Sequence, residues 1–208
     1  MWVNNNFHIS YCSNIHPGRD WEETFDNLQK HLPDIKETIA GDEWFGVGLR
    51  LSNLASDELS RENNLQEFKE WLDRNKLYVF TMNGFPYGNF HNERVKDQVH
   101  TPDWTSTKRL TYTFLLFDQL AYLLPQGVRG GISTSPISYK HWHKNEKELE
   151  QAKTQGAENL ARVVIHLHHL EVNEEKLLHL DIEPEPDGLL ENTQDVIDFY
   201  REFLLPVA

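Results

Sequence analysis

The feature that most constrains this chain is an alternation of two periods. Five short runs of apolar or β-branched residues, at about 7–12, 45–51, 77–83, 129–134 and 178–183, take turns with five longer runs of helical period. Each short run closes on a Gly, Pro, Ser or Asn cluster, as strands do. Among the long runs, Asp20 with Glu23 forms a capping box, followed by Trp21, Phe25, Leu28 and Leu32 on one helical face. Leu65, Phe68, Trp71 and Leu72 mark the second helix, and Leu110, Phe114, Phe117, Leu120, Ala121 and Leu124 the third. Leu149, Ala152, Leu160, Val163, Val164, Leu167 and Leu170 mark a long fourth. Thr193 reads as the N-cap of the fifth, ahead of Val196, Ile197, Tyr200 and Phe203. Strict alternation of strand and helix predicts an α/β fold with a parallel sheet and right-handed crossovers.

Strand parity separates an open sheet from a barrel. Successive side chains of a strand point to opposite faces. The second strand sets Val47, Leu49 and Leu51 against Gly46, Gly48 and Arg50, and the fifth sets Leu178, Leu180 and Ile182 against His179, Asp181 and Glu183. The first sets Phe7, Ile9 and Tyr11 against His8, Ser10 and Cys12, and the third sets Tyr78, Phe80 and Met82 against Val79, Thr81 and Asn83. An open sheet covered by helices on both faces carries strands that are apolar throughout. One apolar and one small or polar face per strand favours a (β/α) TIM barrel, with helices outside only.

The chain of 208 residues reads as a single domain spanning 1–208. Thirty-three Asp and Glu against 20 Lys and Arg leave a formal charge of -13, which argues against nucleic-acid partners and anionic membranes. No run of 18 uninterrupted apolar residues occurs, so no membrane insertion is expected. A single cysteine, Cys12, and an N-terminus without a basic region and apolar core point to a cytoplasmic protein. Cys12 is expected to be a small buried residue rather than a nucleophile.

A barrel of this type carries its site at the C-terminal ends of the strands. Those ends are polar here. Glu183 and Glu185, two apart at the last strand's end, point the same way and suit cation binding or a split into acid and base. The flanking Pro184 and Pro186 equally fit a plain strand terminus with Glu185 solvated. His91 follows the loop Gly84-Phe85-Pro86-Tyr87-Gly88 and, as a neutral imidazole, suits ligation or proton transfer. His16 stands beside Pro17-Gly18 in a similar setting, and Asn83 closes the third strand. Arg50, inward on a strand of Gly and aliphatics, needs a partner: either an anionic ligand group or an internal carboxylate such as Asp181 or Glu183. His141 and His143 sit in a loop, and His166, His168 and His169 on a helix, where solvated or interface roles are expected. No phosphate-binding loop, dinucleotide fingerprint or Cys-x-x-Cys pair is present.

These same segments carry a resemblance. Residues 8–18 ending in Ile15-His16-Pro17-Gly18, the stretch Phe45-Gly46-Val47-Gly48-Leu49-Arg50-Leu51-Ser52, the stretch from Tyr78 through Asn83-Gly84-Phe85-Pro86-Tyr87-Gly88 to His91, Val95-Lys96-Asp97, Ile132-Ser133-Thr134 and Ile182-Glu183-Pro184-Glu185-Pro186-Asp187 are similar to the EboE family. That family is described as metabolite traffic proteins with a xylose isomerase-like TIM barrel. The resemblance implies a sugar isomerase or epimerase ancestry, a divalent metal (Mn2+, Mg2+ or Zn2+), and Glu183 as a metal ligand. His91 and Glu185 are then the candidate proton-transfer residues, with His16, Arg50 and Asn83 holding substrate.

Two classes of function follow. One is a barrel that binds a small polar metabolite and acts on it by metal-assisted proton transfer. The other is a non-catalytic carrier with the same pocket. Five βα units are visible where a closed barrel needs eight. The expectation is therefore a C-terminally incomplete barrel, a homo-oligomer, or a partner that supplies strands.

Overall fold

A computed structural model describes residues 2–3, 7–88 and 96–208. Its centre is a five-stranded, all-parallel sheet with strands in sequence order. A two-stranded antiparallel ribbon precedes it, β1 (Trp2–Val3) with β2 (Phe7–His8). The sheet runs β3 (Ser10–Cys12), β4 (Phe45–Arg50), β5 (Leu77–Asn83), β6 (Gly130–Thr134) and β7 (Leu178–Ile182). The crossovers are α1 (Trp21–Ala40), the pair α2 (Asn53–Leu59) and α3 (Asn64–Arg74), α4 (Thr107–Leu123) and α5 (Glu146–Glu174). After β7 comes α6 (Thr193–Phe199), continued by one π turn, Tyr200–Leu204. The α/β fold and the parallel pairing agree with the alternation read from the sequence. The five strands do not close on themselves: β3 and β7 each pair with one neighbour. No helix among the described residues is long and apolar enough to cross a membrane.

Local chemistry sets the boundaries. The Asp20 carboxylate accepts from the Glu23 amide to cap α1, and Glu23 in turn accepts from the Arg19 amide. Ser52 caps α2 by accepting from Ala55 N–H, although a seven-residue helix is too short for periodicity to reveal. The N-cap of α6 is Asn192, one residue before the expected Thr193: its side chain accepts from the amides of Gln194 and Asp195. The core lies between sheet and helices, with Val47, Leu49, Val79, Ile132, Leu28, Leu32, Phe117 and Leu120 fully enclosed.

Two expectations need correction. In β5 the register jumps, so that Val47 faces Val79 but Gly48 faces Thr81, and Phe80 is the extra residue of a bulge. A bulge resets the alternation. Thr81 and Asn83 therefore share the polar face with Tyr78, while Met82 joins Val79 on the apolar face, the reverse of a continuous strand. The Phe80 ring lies over Gly46, where any Cβ would meet it at 2.8 Å. Cys12 is exposed rather than buried. It stands on the polar face of an edge strand, and the apolar residues of the same segment are bare too, with Phe7 65% and Ile9 43% exposed.

Candidate functional site

Parallel pairing lines up residues of equal depth across the sheet. One row on the polar face reads Arg50, Asn83, Ser133, Asp181, each directly beside the next. Glu183 continues the β7 face one step further, tied by its amide to Thr134 O at 2.9 Å. So the register sets Arg50, Asn83, Ser133 and Asp181 at equal depth on adjacent strands at the C-terminal edge of the sheet, with Glu183 one step beyond β7.

Arg50 is buried and directed at backbone. Its Nη1 donates to Gly18 O at 3.0 Å and its Nη2 donates to Gly88 O. It therefore ties the loop after β3 to the loop after β5. Its amide donates to Ser13 Oγ at 2.9 Å. Burial lowers its pKa below the usual guanidinium range. The Asn83 side chain accepts from the Phe85 amide at 2.9 Å and turns the chain out of β5. His16 is placed elsewhere: half-buried, stacked on His31 at 4.4 Å and 2.5 Å from the Tyr11 hydroxyl. It lines a small cavity together with Arg50, Ser13, Pro17 and Gly18. His91 lies outside the described residues.

Glu185 is engaged by a residue the sequence reading passed over. His100 Nε2 lies 3.0 Å from Glu185 Oε1. His100 is 3% exposed and sits among the rings of Phe85, Tyr139 and Trp142. Burial lowers the His100 pKa, helped by the positive charge of Arg109, against the pull of Asp103, Asp97 and Asp187. Burial raises the Glu185 pKa, helped by the negative charge of Glu183. A charged pair would move both groups the other way. Desolvation leads in both groups, and each is pushed towards its neutral form.

The sign of this effect is testable. His100 resists a proton in the fold that the unfolded chain accepts near pH 6.5, so its share of stability is present above that pH and lost as pH falls through it. Glu185 works the other way, giving stability only below the ordinary carboxylate range and losing it as pH rises. The urea-unfolding advantage of the wild type over His100→Phe is expected to shrink as pH drops from neutral towards 5. A difference that grows with acid contradicts the burial argument.

The wall on this side is stitched together. Tyr139 bridges Gly188, Lys140 N–H donates to Asp187 O at 2.8 Å, and Leu189 N–H donates to Ser138 O at 2.9 Å. Lys140 Nζ and Glu191 add an ion pair at 2.9 Å. Buried Ser138 donates to Asp103 and lies 3.0 Å from His143 Nε2, an arrangement that resembles a nucleophilic triad only in composition. Its hydroxyl is enclosed, and both partners converge on it rather than forming a chain. It fastens the loop after β6 to residue 103.

The divalent metal implied by the resemblance would need donors besides Glu183, and the carboxylates described near it are spaced or engaged as follows. Glu183 is exposed, Asp181 faces His179 at 3.2 Å, and Glu185 spends one oxygen on His100. Among the described residues no three His, Cys, Asp or Glu side chains come together as a metal site. No protein-family model matches the sequence, and no curated protein does either.

Proposed function

We propose that the polar strand-end face of this chain binds a small polar metabolite, and that the sheet is an arc of a xylose isomerase-like (β/α) barrel of the EboE type. The observation that carries the reading is the row Arg50–Asn83–Ser133–Asp181 with Glu183 above it. A sheet that buried both faces would not hold amide, hydroxyl and carboxylate groups at equal depth on adjacent strands. Sequential strand order, with the right-handed crossovers usual for parallel strands, would keep the helices on the opposite side and leave this face for a ligand. On this reading Asn83, Ser133, Asp181 and Glu183 hydrogen-bond the metabolite, Glu185 exchanges a proton with it, and Arg50 fixes the loops that frame it.

Calorimetric titration with a panel of sugars and inositols tests the proposal. At least one member is expected to bind, at least tenfold more weakly to Glu183→Gln, since an ionic hydrogen bond contributes about 1.5–3 kcal/mol. No binding across the panel, or binding indifferent to that change, sinks it. A parallel Mn2+ titration asks whether donors beyond the described set complete a metal site with Glu183. Turnover of any bound member separates an isomerase or epimerase from a carrier.

Among the described residues β3 and β7 each pair with one strand, and Phe7 is exposed, which favours a companion reading in which a second polypeptide or a second copy pairs with these edges. Analytical ultracentrifugation decides it: a monomer at all concentrations rules out the second copy.

A further inference from the structure

We propose that His100 is the positioning residue for Glu185, holding one carboxylate oxygen from behind so that the other faces the ligand. This rests on the metabolite-binding reading of the strand-end face and assigns a role to a residue outside it. The imidazole is the fixed member of the pair. Its ring centroid lies 5.4 Å from that of Phe85, 5.4 Å from Tyr139 and 6.3 Å from Trp142, which stands edge-on. Two of these walls are themselves anchored. The Trp142 indole N–H donates to Asp97 at 2.9 Å, and Tyr139 is bridged to Gly188.

Glu185 is the member that can move. Its backbone is held at both ends, with its amide donating to Leu190 O and its carbonyl accepting from Gly188 N–H, each at 3.1 Å. Its side chain, however, is 35% exposed. A half-exposed glutamate side chain without a partner is free to turn out into water. The contact to His100 opposes that.

The tautomer follows from accounting for donors and acceptors. His100 Nδ1 is buried and has no hydrogen-bond partner among the described residues. A neutral imidazole carries one N–H, and a buried N–H left bare is rarer and costlier than a bare acceptor. We place the proton on Nε2, the ring nitrogen that has Glu185 Oε1 within 3.0 Å. The second carboxylate oxygen has no protein partner among the described residues and is the one left for a ligand hydroxyl.

Carbodiimide coupling of glycinamide at fixed pH, mapped by peptide mass spectrometry, tests the assignment. His100→Phe keeps a ring in the box but removes the donor. It is expected to raise labelling of Glu185 several-fold relative to the exposed Glu150 on α5, with His100→Gln restoring part of the protection. Equal labelling of Glu185 in wild type and His100→Phe overturns the proposal, as does a rise at both sites together, which would signal a loosened fold. Should the variants fail to fold, the wild type still decides it. Imidazole 15N shifts must show the Nε2–H tautomer for His100, and an Nδ1–H tautomer overturns the assignment. A ligand panel without a hit would remove the metabolite-binding reading while leaving these two readouts intact.

Discussion

Arg109→Ala is expected to destabilise the protein by about 3–5 kcal/mol, counting two stranded carbonyls at about 1–3 kcal/mol each plus a cavity term. Arg109 is fully buried near the start of α4. Its Nε donates to Pro102 O at 2.8 Å and its Nη1 donates to Gly84 O at 2.7 Å. The guanidinium lies 5.8 Å and 5.7 Å from the ring centres of Tyr87 and Tyr112. Burial costs it dearly, pushing its pKa down to about 10. That cost is why Arg109→Met is the informative companion. Methionine recovers the desolvation energy and most of the volume but donates to neither carbonyl, so its loss is expected to be smaller than that of alanine. Urea unfolding with an unchanged m-value measures both. If Met and Ala cost the same, the hydrogen bonds dominate. If neither costs more than about 1 kcal/mol, the clamp is not what holds these loops. Against a total of about 5–15 kcal/mol for a domain, the Ala variant should be largely unfolded on modest warming.

The second large effect concerns two glycines whose surroundings are both crowded. A Cβ at Gly46 would stand 2.7 Å from Ile9 O and 2.8 Å from Phe80 Cε1. The first of these is backbone beside the paired strand β3, and it cannot retreat without breaking the Ser10–Gly46 register. Gly46→Ala is therefore expected to cost about 1–3 kcal/mol, and Gly46→Val more. A Cβ at Gly131 would collide more closely still, but with the ring of His179, whose side chain is 58% exposed and free to swing outward. Gly131→Ala should cost well under 1 kcal/mol, within the range of ordinary surface changes. Thermal melts of the pair test the argument: equal losses would mean that nearest distance, not what yields, controls the cost.

What the sequence revealed and what it hid divide along physical lines. The βα alternation and the polar face of β4 were legible because they depend on periods of 2 and 3.6, which survive without tertiary context. The parity of β5 was not, because a bulge at Phe80 changes the count by one and leaves no compositional mark. The inward Arg50 was legible as a buried charge, yet its partners were not. Among the described residues they include the carbonyls of Gly18 and Gly88, groups that every residue possesses and no motif can announce. His100 escaped notice because its partner lies 85 positions away and its own surroundings, Val99 and Thr101-Pro102, look like ordinary loop. The exposure of Cys12 reflects its place on an edge strand, which strand pattern alone does not assign.

The bonds between the loops that follow β6 and β7 carry one more consequence. Tyr139 with Gly188, Lys140 with Asp187 and Glu191, and Ser138 with Leu189 make residues 138–142 and 185–191 a single exchangeable cassette. Transplanting either loop alone into a related scaffold would strand main-chain donors and acceptors along the cut. Transplanting both should carry the wall over intact, so in library design the two must be varied together.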